Sequence, residues 1–268
     1  MKAERKTPLT ARNADRHDLY QRSVQAARMQ ERFLGRIFER ISGRKPASLR
    51  EDFCGTALLC AEWVAKEGRT AVGVDIDREA LAWGAKHNLA PLGRRAAAVS
   101  LLRQDVRAPC RGRFDLIAAL NFSYMIFRTR EELRGYFAGV RRHLTRDGVF
   151  VLDAYGGYES WRPQSERCRL RGFTYVWQQG AVNPIDHTAV NHIHFEFGNG
   201  SRLHRAFTYC WRLWTLPEIR ELLTEAGFSR STVHWRDFSV NGKGAATYRR
   251  AARVARAPAW SVYIVAER

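Results

Sequence analysis

The residues best suited to chemistry lie around one glycine turn. The stretch Ser48-Leu-Arg-Glu51-Asp-Phe-Cys-Gly55-Thr-Ala57 runs from a short extended segment into a helical pattern, and Asp75 ends a second extended run twenty residues after Gly55. The N–H groups at a helix N-terminus face a ligand bound there, and a carboxylate at that distance accepts hydrogen bonds from a ribose diol. This spacing predicts a site for a nucleoside-bearing cofactor. Only one glycine stands where a dinucleotide fingerprint has three, so the turn is not a G-x-G-x-x-G motif.

Two other groups of reactive side chains have simpler interpretations than catalysis. Cys54 sits in the glycine turn, where a small residue that fits a tight turn is a simpler interpretation than a nucleophile. His192, His194 and Glu196 share one face of a strand, and such a set can bind a metal. Alternation alone gives a polar solvent face at the same positions, so we expect no metal. One histidine can instead point into a substrate pocket, and His194 is our candidate.

Strands and helices alternate through the part of the chain that carries these residues. Helices are predicted at 58–66, 79–88 and 131–144, between extended runs at 48–52, 70–75, 98–102, 114–120 and 148–153. Strands alternating with helices of about 10–15 residues are typical of an α/β domain whose parallel sheet has helices on both faces.

The pattern changes after Asp153. Three strands without intervening helices are predicted at 173–177, 192–197 and 202–211, followed by a helix at 216–227 and two strands at 231–238 and 260–266 that flank a loop at 241–256. Residues 157–213 therefore form an antiparallel insert. Open α/β sheets bind ligands at the carboxyl ends of their strands, so we expect the insert to cover that crevice.

The N-terminal segment, 1–45, precedes the main domain, 46–268. Residues 1–17 have no apolar period and are expected to be loose, whereas Asp18 to Ile41 has helical spacing. This helix can lie over the cofactor crevice as a lid, with Tyr20 and Arg22 facing the ligand. Packing on the sheet edge is an equally good interpretation.

Charge and composition limit the class of protein. The chain carries a net charge of +18, and 39 of its 45 basic residues are arginine. Five arginines recur every four residues from Arg28 to Arg44, which on a helix gives a basic stripe; a solvated face is favoured over an RNA or membrane patch. No run approaches the ~20 apolar residues of a membrane span, and the N-terminus lacks a secretion signal, so we expect a cytoplasmic protein. The five cysteines include no C-x-x-C pair, which argues against a disulfide framework and a zinc site.

Four segments resemble the class I S-adenosylmethionine-dependent methyltransferases, over roughly residues 46 to 268. They are the acid and glycine turn Glu51-Asp-Phe-Cys-Gly-Thr-Ala57, the ribose acid Asp75, the adenine-side acid in Gln104-Asp105-Val106, and the segment Leu120-Asn121-Phe-Ser-Tyr124 that faces the transferred methyl. The chain looks closest to the bacterial small-molecule branch, which includes the glycine and sarcosine N-methyltransferases. Phe53 and Ala57 replace glycines of the usual turn, and the last segment lacks the prolines of N-P-P-Y.

The resemblance implies a Rossmann-like, seven-stranded, mostly parallel sheet with an antiparallel β insert after strand five. It implies S-adenosyl-L-methionine as cofactor, with Glu51 accepting from the methionine ammonium, Asp75 from the ribose hydroxyls and Asp105 from the adenine amino group. A sulfonium cofactor needs no pyrophosphate cradle, so one glycine suffices. The other cofactor contacts are expected at Phe53, Cys54, Gly55, Thr56, Ile76, Val106 and Asn121.

Methyl transfer from a sulfonium is an in-line displacement, in which the enzyme mainly holds the acceptor and the methyl in line and sometimes supplies a base. The candidate catalytic residues are Tyr124, Tyr20 and His194. Aromatic residues crowd the insert, and a few of them could line a pocket for a planar or cationic acceptor. The sequence therefore predicts methyl transfer to a nitrogen or oxygen of a small molecule.

Three other functions stay open. An RNA methyltransferase acting on tRNA or rRNA is favoured by the charge, but the chain has no separate recognition domain. A nicotinamide-dependent oxidoreductase is disfavoured by the single glycine, and a non-catalytic sensor of adenosine ligands is the third. No feature of the sequence indicates an oligomeric state.

Overall fold

The protein is described by a computed structural model over residues 7–237 and 247–268. The strands in these ranges are β1 (Ser48–Asp52), β2 (Thr70–Asp75), β3 (Val99–Arg103), β4 (Phe114–Ala119), β5 (Leu144–Gly156), β6 (Gln164–Leu170), β7 (Phe173–Gln179), β8 (Thr188–Glu196), β9 (Arg202–Arg212), β10 (Arg230–Asp237), β11 (Thr247–Arg250) and β12 (Trp260–Glu267). The α-helices are α1 (Arg16–Ser23), α2 (Ala27–Ser42), α3 (Leu58–Val64), α4 (Arg78–Gly84), α5 (Arg130–His143) and α6 (Leu216–Glu225).

The main sheet is largely parallel, as predicted, but it has eight described strands rather than seven. Their order is β11-β10-β12-β5-β4-β1-β2-β3, and the five strands from β5 to β3 are parallel to one another. The additional strand is β11, which lies inside the segment predicted as a loop. It pairs antiparallel with β10, and its arginine-rich sequence has no apolar alternation to indicate a strand. Phe238, the predicted end of the preceding strand, and the first part of that loop, 241–246, lie outside the described residues.

Burial on both faces explains the parallel part of the sheet. All six residues of β4 are buried, as expected for a strand covered by helices on both sides. One face packs against Phe137 of α5 and Leu222 of α6, and the other packs against Phe38 of α2 and Trp63 of α3. The carboxyl ends of β1, β2, β3 and β4 consequently meet at one edge.

A second sheet of four antiparallel strands, in the order β6-β7-β8-β9, lies between β5 and α6 in the sequence. The sequence predicted three of these strands and missed β6, because most of its residues are exposed and its sequence, QSERCRL, is mostly polar without apolar alternation. A small core that includes Leu19, Phe173, Ile193, Phe195 and Phe197 joins this sheet to α1.

The predicted N-terminal helix is divided into two helices, α1 and α2. The Ser23 hydroxyl donates to the carbonyl of Leu19 over 2.7 Å, and the chain leaves the helical path before Ala27. The expectation of a loose N-terminus was wrong for residues 7–17. Leu9 packs against the insert and the N–H of Ala11 donates to Ser201 Oγ over 3.0 Å, so a few apolar residues suffice to fix the segment.

Gly84 provides a test of how closely α4 packs on the glycine turn. A Cβ at Gly84 would lie 2.2 Å from the backbone oxygen of Thr56, whereas a Cβ at Gly135 of α5 would meet nothing within 4 Å. Gly84→Ala should therefore lower the free energy of unfolding by about 1–3 kcal/mol through overpacking. The control Gly135→Ala should raise it by up to about 1 kcal/mol through helix propensity. Urea denaturation of both variants measures the difference, and a stabilising Gly84→Ala would contradict this packing.

Candidate active site

The turn after β1 takes a strained backbone path. Gly55 has a φ of 53°. Phe53, two residues before it, and Ala57, two residues after it, also have positive φ values, of 57° and 53°. These left-handed conformations favour glycine and cost a residue with a Cβ about 1–2 kcal/mol. Phe53 and Ala57 therefore adopt the backbone conformation that glycines would adopt at these positions. Ala57 is the residue that precedes α3.

A hydrogen bond joins this turn to the acid at the end of β2. The N–H of Gly55 donates to Asp75 Oδ2 over 2.6 Å, and the N–H of Asp77 donates to Asp75 Oδ1 over 2.9 Å. Burial raises the pKa of Asp75. The next side chain, Ile76, is 70% exposed, which is unusual for an isoleucine and leaves an apolar surface beside the carboxylate. The two parts of the site predicted from spacing are therefore in contact.

Glu51 and Cys54 are buried beneath the turn. Glu51 Oε2 accepts hydrogen bonds from the N–H and the thiol of Cys60, over 3.2 and 3.1 Å, and burial raises the pKa of Glu51 to about 8. Burial also raises the pKa of the Cys54 thiol well above its ordinary value. Cys54 packs against Gly73, where an added Cβ would lie 2.9 Å from its sulfur. These surroundings favour the interpretation of Cys54 as a packed small residue.

The acid after β3 is engaged by an arginine. Asp105 Oδ2 accepts from Arg107 Nη2 over 2.7 Å, and this bond lowers the pKa of Asp105. The backbone of Gln104 donates to the Asp75 carbonyl over 3.1 Å, so Asp105 follows β3 at the same sheet edge. Val106 is buried, and its carbonyl accepts from Arg50 Nη2 over 2.6 Å.

The segment after β4 is held by an acid that the sequence analysis did not select. Asn121 and Phe122 have φ values of 58° and 61°, and their N–H groups donate to the two oxygens of Asp153, each over 2.8 Å. Asp153 is 8% exposed, and burial raises its pKa to about 7. The sequence feature that could have identified Asp153 is its position. It follows the apolar run of β5, just as Asp75 follows the apolar run of β2.

Tyr124, predicted to face the transferred group, lies in the hydrophobic core. Its side chain is fully buried near Phe137, with ring centroids 6.4 Å apart. Its hydroxyl is buried without a hydrogen-bond partner in the part of the chain that the structure describes. Tyr124 is not among the residues that line the neighbouring cavity.

A cavity of about 560 Å³ lies next to Asn121 and Asp153. Its walls come from α1, α2, the end of β5, the first residues of β12 and one face of the insert. Gly55 and Asp75 lie outside its lining. Aromatic side chains dominate the walls and comprise Tyr20, Phe122, Tyr155, Tyr175, Trp177, Tyr209, Trp211, Tyr248, Trp260 and Tyr263.

The helix α1 lies over both the cavity and the turn. Tyr20 lines the cavity, and burial raises its pKa to about 12. The next residue, Gln21, accepts from Thr56 Oγ1 over 3.3 Å and from Asn88 Nδ2 over 2.8 Å. Arg22 points elsewhere, because its Nη2 donates to the carbonyl of Arg171 in the insert over 2.6 Å.

His194 stabilises an irregularity of the insert and does not line the cavity. Its neighbour Ile193 lines the cavity, while His194 Nδ1 accepts from the N–H of Arg205 over 3.0 Å, where the register of β8 and β9 shifts. Nε2 lies 2.8 Å from Gln178 Oε1, and burial lowers the pKa of His194 to about 4. A neutral imidazole that bears its proton on Nε2 fits both bonds. Glu196, on the same strand, pairs with Arg167.

Two other features bear on possible partners. The arginines of the predicted stripe on α2 are exposed; Arg28 pairs with Glu62, and Arg44 pairs with Asp115 and Asp147. Within residues 7–237 and 247–268, no helix has the length and apolar character needed to cross a membrane, and no cluster of three His, Cys, Asp or Glu side chains suits a metal.

The raised pKa of Glu51 predicts a pH-dependent loss of stability. The folded protein keeps this proton to about pH 8, whereas the ordinary pKa is 4.5, so ionisation destabilises the folded state as pH rises between these values. The slope approaches about 1.4 kcal/mol per pH unit. Glu51→Gln keeps an acceptor for Cys60 without the charge, and should gain stability over the wild type as pH rises from 5 to 8.

Urea denaturation at several pH values measures this difference. The control Glu67→Gln, at an exposed position, should follow the wild type at every pH. A constant difference between Glu51→Gln and the wild type would show that Glu51 is already ionised in the folded protein.

The fold is shared with solved methyltransferases, although the sequence is divergent. No profile of a known protein family matches the chain, and no curated protein sequence matches it. A S-adenosylmethionine-dependent methyltransferase from Clostridium acetobutylicum is similar over 93% of this chain and 96% of its own, with a TM-score of 0.69 and 16% identity.

Two further neighbours carry more specific names. CalS10, an amino pentose methyltransferase from Micromonospora echinaspora solved with S-adenosylmethionine bound, is similar over 94% of this chain and 95% of its own, with a TM-score of 0.66 and 16% identity. The sugar N-methyltransferase KedS8 from Streptoalloteichus is similar over 100% of this chain and 97% of its own, with a TM-score of 0.64 and 17% identity. At such identities the similarity shows the fold: the chain has the Rossmann-like α/β fold of S-adenosylmethionine-dependent methyltransferases.

Proposed function

We propose that the protein is an S-adenosylmethionine-dependent methyltransferase acting on a nitrogen or oxygen of a small molecule. The observation that carries the proposal is the contact of the Gly55 N–H with Asp75, at the strand edge next to a cavity lined by Asn121 and Asp153. A nucleoside site and an acceptor cavity side by side are what group transfer from an adenosyl cofactor requires. The shared fold supports this function.

The residues at the edge fit the cofactor. Asp75 oxygens retain lone pairs for ribose hydroxyls beyond the N–H groups they already accept, and the exposed Ile76 offers an apolar surface to the adenine. Asp105 lies at the same edge and can accept a hydrogen bond from the adenine amino group. It would give up part of its ion pair with Arg107 to do so. Glu51 and the turn lie on the methionine side, where an ammonium would favour the ionised form of Glu51.

The remaining predicted cofactor contacts are inferred from where these residues lie along the chain. Phe53, Cys54 and Thr56 form the backbone of the turn, and Val106 follows Asp105. Asn121 stands between the cofactor edge and the cavity.

When bound, S-adenosylmethionine supplies a methyl group on a cationic sulfur. The chain's own contribution is to hold the acceptor and to exclude water. The insert and α1 close the cavity from above, and the bonds of Gln21 to Thr56 and Asn88 tie this cover to the turn. We therefore assign 1–45 to a cover of the site, 46–268 to the catalytic domain and 157–213 to acceptor selection, with Tyr20 as an acceptor contact.

The size of the cavity favours an acceptor larger than glycine or sarcosine. A cavity of about 560 Å³ is in the range that holds drug-sized ligands. The neighbours named as amino pentose and sugar N-methyltransferases support a nitrogen acceptor on a ring-sized molecule.

Calorimetry tests the cofactor. S-adenosylmethionine and S-adenosylhomocysteine should bind and NAD should not; failure of the first two to bind would contradict the proposal, and binding of NAD alone would favour an oxidoreductase.

Incubation of the protein with labelled cofactor and cell extract should then transfer label to a small molecule. Label in tRNA or rRNA, with binding that weakens steeply with salt, would favour the RNA methyltransferase instead.

Asp75→Ala should weaken S-adenosylmethionine binding by about 1–3 kcal/mol, because the ribose loses a charged acceptor. The control Asp147→Ala removes an exposed carboxylate that pairs with Arg44, away from the site, and should bind the cofactor as the wild type does. Calorimetry of both variants makes the comparison. Equal affinities would mean that Asp75 does not contact the ribose.

A further inference from the structure

The wall of the acceptor cavity contains a buried carboxylate without a cationic partner. Asp153 accepts one backbone N–H at each oxygen, and it takes part in none of the ion pairs found among residues 7–237 and 247–268. Arg236 also lines the cavity. A buried negative charge with only hydrogen-bond donors for partners is costly unless a cation compensates it.

Tyrosines surround this carboxylate. Tyr20, Tyr124, Tyr248 and Tyr263 lie close enough to interact with the charge of Asp153, and each is neutral when its hydroxyl is protonated. The other titratable groups of the cavity are Tyr155, Glu166, Tyr175, Tyr209 and Arg236. Asp153 is therefore the one buried carboxylate of the described cavity wall, since Glu166 is exposed on β6.

A cluster of aromatic rings contributes to the same cavity wall. The rings of Tyr209 and Trp211 have centroids 4.6 Å apart, and those of Trp177 and Trp211 have centroids 5.8 Å apart. Tyr155 connects this group to Phe122, with centroids 4.8 Å apart. Aromatic faces carry negative electrostatic potential and attract cations, most strongly in a desolvated site.

We propose that the acceptor is an amine that enters the cavity as an ammonium ion, and that Asp153 is the catalytic base that takes its proton. This inference rests on the proposed methyltransferase function and specifies the substrate class of the same cavity. The carboxylate and the rings of Trp177, Tyr209 and Trp211, which line the same cavity, compensate the positive charge together.

The step balances without any further reactant. Asp153 accepts one proton from the ammonium, which leaves a neutral amine with a free lone pair. The nitrogen lone pair then forms a bond to the methyl carbon while the carbon–sulfur bond breaks. The electron pair of the broken bond goes to the sulfur, which becomes a neutral thioether. The product is a methylated ammonium, and Asp153 loses its proton to solvent after release.

The position of Asp153 also supports the geometry of transfer. The same two oxygens hold the left-handed turn at Asn121 and Phe122, so the base is fixed relative to the segment between the cofactor edge and the cavity. Each carboxylate oxygen has a lone pair beyond the one used by the backbone, and this pair is available to the ammonium.

Binding of matched probes tests the inference without knowledge of the natural acceptor. Phenethylamine, 2-phenylethanol and phenylacetate have the same shape and differ in charge, and their binding can be followed by fluorescence of the cavity tryptophans. At pH 8 the wild type should bind phenethylammonium at least about tenfold more tightly than the alcohol. Equal affinities, or a preference for phenylacetate, would overturn the proposal.

Two variants identify the carboxylate. Asp153→Asn should lose the preference for the cation, whereas Glu166→Gln, at the exposed rim of the same cavity, should keep it. The reverse result would assign the cation to Glu166. In the wild type the preference should also disappear as pH falls through about 7, because protonation removes the charge of Asp153.

A second pair of variants separates the base from a purely structural role. Glycine relieves the left-handed strain, so Asp153→Asn combined with Asn121→Gly should recover the stability lost by Asp153→Asn alone but not the preference for the cation. Recovery of that preference would reduce Asp153 to a positioning residue and overturn the proposal.

Cofactor binding distinguishes the two proposals. Tight binding of S-adenosylmethionine without any preference for the ammonium probe would contradict the inference alone. Preference for the ammonium probe without binding of S-adenosylmethionine would contradict the proposed function, and would leave Asp153 as a cation site rather than the base of a methyl transfer. If Asp153→Asn weakens S-adenosylmethionine but not S-adenosylhomocysteine, the carboxylate serves the sulfonium rather than the acceptor, which also overturns the inference.

Discussion

The candidate site depends on two carboxylates, Asp75 and Asp153, that are held by backbone N–H groups rather than by basic side chains. Asp75 accepts from Gly55 and Asp77, and Asp153 accepts from Asn121 and Phe122. The bonds of Gly55, Asn121 and Phe122 join an acid of one strand to the turn that follows the neighbouring strand. The same contacts that fix the turns therefore leave the negative charges uncompensated and directed to the ligand side of the sheet.

This arrangement contrasts with the rest of the molecule. Acids elsewhere pair with arginines, as in Asp52 with Arg50, Asp115 with Arg44 and Glu31 with Arg69. In a chain with a net charge of +18, basic partners are abundant, and their absence from Asp75 and Asp153 among the described residues distinguishes these two acids from Asp105, which pairs with Arg107 at the same edge. Carboxylates without basic partners attract cationic ligands, so the overall charge of the chain is a poor guide to the charge of a ligand bound beside them.

The sequence predicted the parts of the fold and site that depend on local pattern. The buried strands β2 and β4 and the acid at Asp75 follow from apolar runs and spacing. It did not predict β6 and β11, because edge strands need little apolar alternation. Tyr124 and His194 illustrate the other limit. Whether a side chain faces a cavity or the core depends on the rotation of a short turn or on a shift of register, and neither is encoded in residue type.

Asp153 shows a different limit. Its role depends on two N–H groups about thirty residues earlier in the chain, which converge on it only because Asn121 and Phe122 adopt left-handed conformations. Asparagine tolerates a left-handed conformation better than most residues, but phenylalanine does not. The buried carboxylate stabilises this path at both positions because it accepts both N–H groups. The left-handed turn and the buried carboxylate thus depend on each other. The carboxylate offsets the strain of the turn by accepting its two N–H groups, and the turn supplies the donors that the buried carboxylate needs. A cation bound in the cavity lowers the cost of the charge and so stabilises both, which links occupancy of the acceptor cavity to the order of the segment that borders the cofactor edge.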